Sequence, residues 1–233
     1  MQIGIDLGAT KIEYVILDDN GEEILREREI SPTDYQGTID SIFKIVEKLD
    51  KKFSKKFDTG ICHPGSISND TGFLKNAVNS PWMNNKPFQS DISKKLNRNV
   101  ICENDANCFA LSEAIDGSAK HYDIVFGVIL GSGCGGGVIV NKKILKGANN
   151  LSGEWGKIKF KDQDIESYLS GNSISRRFNE IFKKNIKAYE IFDLYRKKDI
   201  EAQKYIEEYK NNLAISLTSI INLLDPDAIV FGG

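Results

Sequence analysis

Apolar and polar residues alternate along the first 30 positions, which is the pattern of strands with one buried face. Three strands are predicted there, over Gln2–Leu7, Lys11–Leu17 and Glu22–Ile30. A turn at Asp18–Gly21 separates the second strand from the third. The chain is therefore predicted to begin with an antiparallel meander.

The apolar residues then change to a helical spacing. Between Tyr35 and Phe53 they recur every three or four positions, which predicts an amphipathic helix. Further elements are predicted as strand Thr59–Cys62, helix Gln89–Leu96, strand Asn99–Cys102 and a helix that opens at Asn104–Asp105 and runs to about Asp116. The first five predicted elements of the chain follow the order β-β-β-α-β, which is typical of an α/β domain.

The second half repeats the opening in kind. A strongly apolar strand is followed by a glycine-rich turn, a second strand, three helices and a last strand. These are predicted over Ile124–Leu130, Gly131–Gly137, Val138–Asn141, Glu166–Phe182, Ala188–Lys197, Ile200–Leu224 and Ala228–Phe231. The final Gly232–Gly233 has no element to cover it, which indicates a lobe that is incomplete at its C-terminus. We expect two lobes, residues 1–117 and 118–233.

Composition excludes several classes of function. The chain has 31 basic and 33 acidic residues, a net charge of −2, and its lysine-rich stretches have acidic neighbours, so no nucleic-acid partner is expected. No basic and apolar leader and no membrane-length apolar run is present, so we expect a soluble, cytoplasmic protein. The four cysteines follow no CxxC spacing, and reduced thiols are expected.

Two turns between strands carry anion-binding chemistry. In the first, Asp6–Lys11, a glycine lets backbone N–H groups approach an anion, the Thr10 hydroxyl can donate to a phosphate oxygen, and Asp6 can hold Mg²⁺. The second, Gly131–Gly137, has five glycines in seven residues and suits a phosphate cradle, without a Walker lysine. An ordinary hairpin is the alternative for each turn. Together they indicate a duplicated domain whose glycine turns face one nucleotide.

The stretch between the predicted strand Thr59–Cys62 and the next helix is rich in turn residues and amides. Asn79 and its neighbouring asparagines, close to Trp82, supply the donors and acceptors that sugar hydroxyls need. A solvated loop is the alternative. His63 has no second histidine or cysteine at ligand spacing, so a metal site there is disfavoured.

Asn104 and Asp105 lie where a predicted strand gives way to a helix. A carboxylate on the first turn feels the positive helix end, which favours its ionised form. Held between amides, Asp105 could take a proton from a hydroxyl. Taken alone, the pair is first interpreted as a helix cap.

Five motifs in order resemble the ROK family of sugar kinases over essentially the whole chain. They are Asp6–Thr10, Asn104–Asn107, Gly131–Gly137, Gly153–Gly156 and the segment from Asp225–Pro226 to Gly232–Gly233. Within that family, other stretches look most like the bacterial fructokinase branch, with N-acetylglucosamine kinases second. These stretches are Pro64–Ser68, Lys75–Asn76, Trp82–Asn84, Pro87–Phe88, Asn104–Ala114 and Asp116–Gly117.

The resemblance implies an actin-like, ribonuclease H-like pair of α/β lobes with ATP and sugar in the cleft between them. It makes Asp105 the catalytic base, which accepts the proton of the sugar's primary hydroxyl as that oxygen attacks the γ-phosphate. The positions that match sugar-binding residues are Asn79, Asn104, Glu154 and Glu166. The phosphate, metal and nucleotide motifs contain Asp6, Gly8, Thr10, Lys11, Ser132, Gly133 and Gly232, with Asp6 holding the Mg²⁺ that accompanies ATP.

One departure from the family concerns zinc. The family usually has a histidine after Gly-Glu-Trp-Gly and then a cysteine-rich segment that together hold a structural zinc. Here the position is Lys157, and no cysteine lies between Phe160 and Glu166. We therefore expect no zinc site.

The resemblance implies an ATP-dependent hexose kinase that phosphorylates the 6-hydroxyl of a sugar by in-line transfer, with fructose favoured. The alternatives are an N-acetylglucosamine or glucose kinase of the same family, or a catalytically degenerate member that binds sugar or nucleotide. The sequence does not rank hexoses, because one or two hydroxyl contacts decide between them. A homodimer is implied by the resemblance.

Overall fold

The computed structural model describes all 233 residues. They form two compact units, the first of Met1–Cys108 with Lys146–Leu151 and the second of Phe109–Leu145 with Ser152–Gly233. These units resemble, without matching, the expected lobes 1–117 and 118–233, which stay a prediction. None of the helices combines the length and the apolar character needed to cross a bilayer. All four cysteines are free thiols.

The first unit contains a sheet, two helices and a loop region with two short strands. Its strands are β1 Gln2–Leu7, β2 Lys11–Leu17, β3 Glu23–Ile30, β4 Asp58–His63, β5 Ser66–Ile67, β6 Leu74–Lys75 and β7 Val100–Asn104. Its helices are α1 Tyr35–Phe53 and α2 Phe88–Leu96, with a 3₁₀ turn at Pro81–Met83. The predicted meander and both predicted helices are confirmed, with ends shifted by a residue in β3 and α2.

The five-stranded sheet of this unit has the order β3-β2-β1-β4-β7. Strands β1, β4 and β7 are parallel, whereas β2 and β3 are antiparallel to their neighbours. Alternate residues Ile3 and Ile5 of β1 are buried in one cluster with Ile42 and Val46 of α1. Because apolar residues line one face of each element, the sheet and the helices bury a common core.

The second unit begins within a helix and contains a smaller sheet and a helical layer. Its strands are β8 Ile124–Leu130, β9 Cys134–Val140, β10 Lys143–Ile144, β11 Lys159–Phe160, β12 Gln163–Asp164 and β13 Ala228–Gly232. The remaining helices of the chain are α3 Asp105–Ile115, α4 Glu166–Leu169, α5 Gly171–Phe182, α6 Ala188–Arg196 and α7 Ile200–Leu224, with a 3₁₀ turn at Trp155–Lys157.

The four-stranded sheet of the second unit has the order β10-β9-β8-β13. Strand β8 is antiparallel to β9 and parallel to β13. In the first unit β1 has the same two kinds of neighbour, antiparallel β2 and parallel β4. The predicted duplication therefore holds at the level of strand topology.

Helix α3 packs on the sheet through a face of small residues. Ala110 and Ala114 are buried in a cluster with Val125 of β8 and Ile139 of β9. A Cβ on Gly127 of β8 would lie 2.6 Å from the Cβ of Ala110. Close packing of this helix on the sheet thus depends on a glycine facing an alanine.

Two predicted boundaries in this unit were wrong. Strand β9 begins at Cys134 and not at Val138, because three glycines of the supposed loop pair with β8. The predicted helix Glu166–Phe182 is two helices, since Ser170 adopts extended backbone with φ −70° and ψ 152°. Its side chain caps α5 by accepting from the N–H of Ser173.

Candidate active site

In the first unit, polar residues gather where the parallel strands end. Asp6 of β1 pairs in register with Cys62 of β4, which pairs with Glu103 of β7. His63 pairs with Asn104 at the last position of the ladder. Because the carboxyl ends of parallel strands meet at one edge of a sheet, Asp6 and Asn104 belong to the same edge, where α/β proteins bind ligands.

Asn104 is the cap of helix α3. Its Oδ1 accepts from the N–H groups of Ala106, at 3.0 Å, and Asn107, at 3.2 Å. Its Nδ2 donates to the carbonyl oxygen of Gly65 at 2.9 Å. The cap interpretation is therefore correct for Asn104, whose Nδ2 carries a second hydrogen besides the one donated to Gly65.

Asp105 is the first residue of α3, and its side chain is exposed. Its Oδ1 accepts from the N–H of Ala106 at 2.8 Å. The helix end favours a negative charge here, and the capping by Asn104 fixes the backbone that carries it. The first turn of α3 therefore presents an exposed carboxylate whose backbone is fixed by the cap.

Glu103 supports the start of the helix from the preceding position. Its carboxylate accepts from the N–H of Asn104 at 3.0 Å and from Asn107 Nδ2 at 3.1 Å, and it pairs with Lys146 Nζ at 2.6 Å. Burial by itself would raise the pKa of Glu103, but these donors outweigh it and lower the pKa below its ordinary value. The sequence carried no signal for Lys146, because the ion pair joins distant positions.

The segment Lys146–Leu151 is attached to the first unit by further bonds. Asn150 Nδ2 donates to the carbonyl of Ile67 at 2.6 Å and to Asn69 Oδ1 at 2.7 Å. Asn69 Nδ2 in turn donates to the carbonyl of Ala148 at 2.8 Å. The amides of Asn69 and Asn150 thus bond the chain itself and attach this segment to the first unit.

Asn79 lies in a turn ahead of the 3₁₀ turn and is exposed. The loop that carries it is fixed by Asn84, which bonds both the N–H of Ala77, at 2.9 Å, and its carbonyl, at 3.3 Å. Gly65, with φ +78°, approaches this loop so closely that a Cβ would lie 2.3 Å from the carbonyl oxygen of Lys75. Gly65 therefore connects the Asn79 loop with Asn104.

His63 is part of the core below these loops. It is 1% exposed, its Nδ1 lies 3.2 Å from the carbonyl of Pro64, and its ring packs edge-on against Phe88. Burial lowers its pKa. Nowhere in the chain do three or more His, Cys, Asp or Glu side chains form a group that could hold a metal ion.

The turn between β1 and β2 is closed by a bond from Gly8 N–H to the carbonyl of Lys11 at 3.0 Å. Ser31 Oγ donates to the Gly8 carbonyl at 2.6 Å, while Thr10 and Lys11 are exposed. Asp6 is exposed too, yet desolvation by the protein around it, and then the charge of Glu13, raise its pKa. One oxygen donor of this kind fits a Mg²⁺ that arrives with phosphates, since Mg²⁺ commonly uses one or two carboxylates plus water and phosphate oxygens.

The matching turn of the second unit is Gly131–Gly133. It is closed by a bond from Gly131 N–H to the carbonyl of Gly133 at 3.1 Å, and Ser132 is exposed. A Cβ on Gly233 would lie 2.9 Å from Gly131 N, and Gly232 pairs in register with Ile129 of β8. Three residues with predicted nucleotide roles, Ser132, Gly133 and Gly232, are thus brought to one end of the parallel pair β8 and β13.

Glycines 135 to 137 serve packing. Trp155 Nε1 donates to the carbonyl of Gly135 at 2.8 Å, and the Gly153 backbone, with φ +90°, lies against Gly136. A Cβ on Gly156 would lie 2.2 Å from the carbonyl oxygen of Cys134. The Gly-Glu-Trp-Gly turn therefore rests directly on the backbone of β9, which explains the glycine at position 136.

Gly156→Ala is expected to lower the free energy of unfolding by about 1–3 kcal/mol, because the added methyl overpacks a backbone contact. Urea unfolding followed by circular dichroism measures this. Gly60→Ala, where a Cβ meets nothing within 4 Å, is the matched control and should stay within about 1 kcal/mol of the parent. Equal effects of the two substitutions would contradict the packing described.

Glu154 and Glu166 lie in this same unit. Burial, and secondarily the charge of Glu166, raise the pKa of Glu154, while the charge of Lys157 opposes the shift. Glu166 pairs with Lys157 Nζ at 2.6 Å and accepts from Cys134 N–H at 2.9 Å. The sequence predicted no contact for Lys157. Its position directly after Gly-Glu-Trp-Gly, where the family usually has a histidine, was nevertheless a signal that could have identified it.

Known proteins resemble this chain in sequence and in fold. N-acetyl-D-glucosamine kinase of Salmonella paratyphi B is 34% identical over 254 aligned residues, which cover 100% of this chain and 84% of the relative. The crystal structure of a ROK hexokinase from Thermus thermophilus superposes with a TM-score of 0.87 at 22% identity, covering 100% of this chain and 81% of that one. A ROK glucokinase from Streptomyces griseus, solved with glucose and AMPPNP, gives 0.80 at 23%, covering 100% and 82%.

The chain is a sugar kinase with the actin-like fold. Its two related sheets with their glycine turns, and the relatives just described, identify this class. The sequence pattern of the ROK family matches residues 2–233. The chain belongs to the ROK family, as its motifs indicated. The family match does not show which branch of the ROK family the chain belongs to, so it does not support the fructokinase branch in particular.

Proposed function

We propose that this chain is an ATP-dependent kinase that phosphorylates the 6-hydroxyl of N-acetylglucosamine or a closely similar hexose. The observation that carries the proposal is the exposed Asp105 carboxylate on the first turn of α3, at the carboxyl ends of parallel strands. Phosphoryl transfer depends mainly on positioning and charge neutralisation, and a base at the attacking hydroxyl completes it.

In the proposed reaction, Asp105 accepts the proton of the primary hydroxyl as the sugar oxygen bonds to the γ-phosphorus and the bond to ADP breaks. Asn79, Asn104, Glu154 and Glu166 would hold the sugar hydroxyls. Asp105 then returns the proton to water. This division suits the residues, because the amides offer donors and the carboxylates accept from hydroxyls.

When bound, ATP supplies the phosphoryl group, and Mg²⁺ neutralises the negative charge of its phosphates. The residues that would hold them are the two glycine turns with Thr10, Lys11, Ser132, Gly133 and Gly232, and Asp6 near the metal. Backbone N–H groups in such turns suit phosphate oxygens. No hydrogen bond within the protein uses the N–H groups of Ser132 and Gly133, which supports this role.

The choice of sugar follows the relatives. Motif resemblance favoured fructose, whereas the 34% identical relatives are N-acetylglucosamine kinases. We therefore propose N-acetylglucosamine as the preferred substrate and fructose as the comparison. A homodimer is the proposed assembly, and light scattering on the purified chain tests it.

A panel of sugars tests the proposed specificity. Coupled ADP release is measured with N-acetylglucosamine, glucose, mannose and fructose at equal enzyme. We expect kcat/KM for N-acetylglucosamine to exceed the others by about tenfold or more, because a site shaped for an acetamide leaves polar groups unpaired with the other sugars. A higher value for fructose would overturn the choice of sugar, and sugar binding without ADP release would favour a degenerate member.

A further inference from the structure

Lys157, Glu166 and Cys134 form a continuous chain of polar contacts in the second unit. Lys157 Nζ lies 2.6 Å from Glu166 Oε1, and Glu166 Oε2 accepts from the Cys134 N–H at 2.9 Å. Cys134 directly follows the turn Gly131–Gly133. One carboxylate is therefore bonded at the same time to Cys134, the residue next to the glycine turn, and to Lys157, in the segment that carries Glu154.

The geometry leaves the carboxylate little freedom. Each oxygen of Glu166 has its own donor, so rotation would break a bond. A Cβ on Gly133 would lie 2.9 Å from Glu166 Oε2, so the missing side chain lets the carboxylate reach the backbone. The Gly171 N–H holds the other side of the turn by donating to the Gly131 carbonyl at 2.8 Å.

The charge of Lys157 lies among three carboxylates, Glu154, Asp164 and Glu166. Burial alone would lower the pKa of Lys157, but the bond to Glu166 and the charges of these groups raise it. The same ammonium opposes the rise in the pKa of Glu154. Lys157 is thus a fixed positive charge shared by two of the residues assigned to the sugar.

We propose that Lys157 is a positioning residue that holds Glu166 against the glycine turn and thereby couples sugar binding to nucleotide binding. This rests on the proposed function, because it takes Glu154 and Glu166 as sugar ligands and the turn as the nucleotide site. A sugar hydroxyl that bonds Glu166 would change the bond that Glu166 makes to the turn. Coupling of this kind is reciprocal, so each ligand changes the affinity of the other by the same factor.

A purely structural ion pair predicts something different. The side chains of Lys157 and Glu166 are 50% and 31% exposed, and pairs this open to solvent contribute little to stability. Removing the lysine would then leave both the mobility of the turn and the coupling factor unchanged. These two quantities therefore separate the proposal from a stability role.

The first experiment needs no substrate. Hydrogen exchange is followed on the peptide containing Gly131–Gly137 in the parent, Lys157→Met, Lys157→Arg and the control Lys159→Met, whose lysine is exposed and bonds only the carbonyl of Asp162. We expect exchange about three- to tenfold faster in Lys157→Met, partial recovery in Lys157→Arg and no change in Lys159→Met. Exchange at the parent rate in Lys157→Met would overturn the proposal that Lys157 holds Glu166 against the glycine turn.

The second experiment measures coupling by calorimetry. The Kd of AMPPNP is determined with and without saturating N-acetylglucosamine, and the ratio of the two values is the coupling factor. We expect a factor above three in the parent that falls towards one in Lys157→Met and recovers in Lys157→Arg. A factor of one in the parent, or the same factor in both proteins, would overturn the coupling. If the parent binds neither ligand, the proposed function fails. The exchange result still tests whether Lys157 holds Glu166 against the glycine turn.

Discussion

Asp105→Asn is expected to lower kcat about 10²–10⁴-fold, the usual contribution of a general base. The amide keeps the size of the side chain, and the Asn104 cap that positions α3 is untouched. The KM values for sugar and ATP should therefore stay within a few-fold of the parent. Steady-state ADP release at saturating sugar and ATP measures the change.

Asp116→Asn is the matched control, because Asp116 is exposed just beyond the end of the same helix. It should retain parental kcat. Asp105→Asn with parental kcat would remove the base from the mechanism. A fall in kcat accompanied by a large loss of folded protein would instead assign Asp105 a structural role, so thermal melts accompany the kinetics.

Glu154→Gln is expected to raise the KM for the sugar about 10- to 100-fold, since a hydrogen bond to a charged group contributes about 1.5–3 kcal/mol. The variant should lose little kcat at saturating sugar, because Glu154 is assigned to binding. Initial rates across a sugar titration measure this. Glu180→Gln, on an exposed position of α5, is the control with parental KM.

The raised pKa of Glu154 adds a pH signature with a defined sign. Sugar affinity of the parent should fall as pH falls through that raised pKa, because the ionised form accepts from hydroxyls. A group whose pKa is raised by folding stabilises the protein below its unfolded pKa, and this contribution is lost as pH rises through the folded pKa. Glu154→Gln should therefore unfold at a higher temperature than the parent at pH 7.5 but not at pH 4. The reverse order would contradict the burial of a carboxylate here.

Much of the fold could be predicted from local patterns. Alternation identified β1 and β2, and the spacing of apolar residues identified α1 and α7, because each of these elements buries one face. The predictions were wrong where contacts between distant parts of the chain determine the secondary structure. Nothing local tells that three glycines of β9 form a strand, since the contact of Gly136 with the Trp155 turn arises only in the folded chain.

The candidate site divides in the same way. The polar ends of β1 and β7 were predictable, because an acid or amide directly after an apolar strand is visible in the sequence. The ion pairs Lys146–Glu103 and Lys157–Glu166 were not, because they join loops whose meeting depends on the whole fold. The choice of sugar was also beyond the motifs, since a few side-chain contacts separate one hexose from another.

The proposed reaction transfers the γ-phosphate of ATP to a sugar hydroxyl. Its most direct test is ³¹P NMR of the purified chain with ATP, Mg²⁺ and N-acetylglucosamine, with ADP quantified in the same sample. We expect a sugar 6-phosphate resonance that grows in equal amount with ADP in the parent and is nearly absent with Asp105→Asn. ADP formed without a sugar phosphate, or equal product from both proteins, would contradict it.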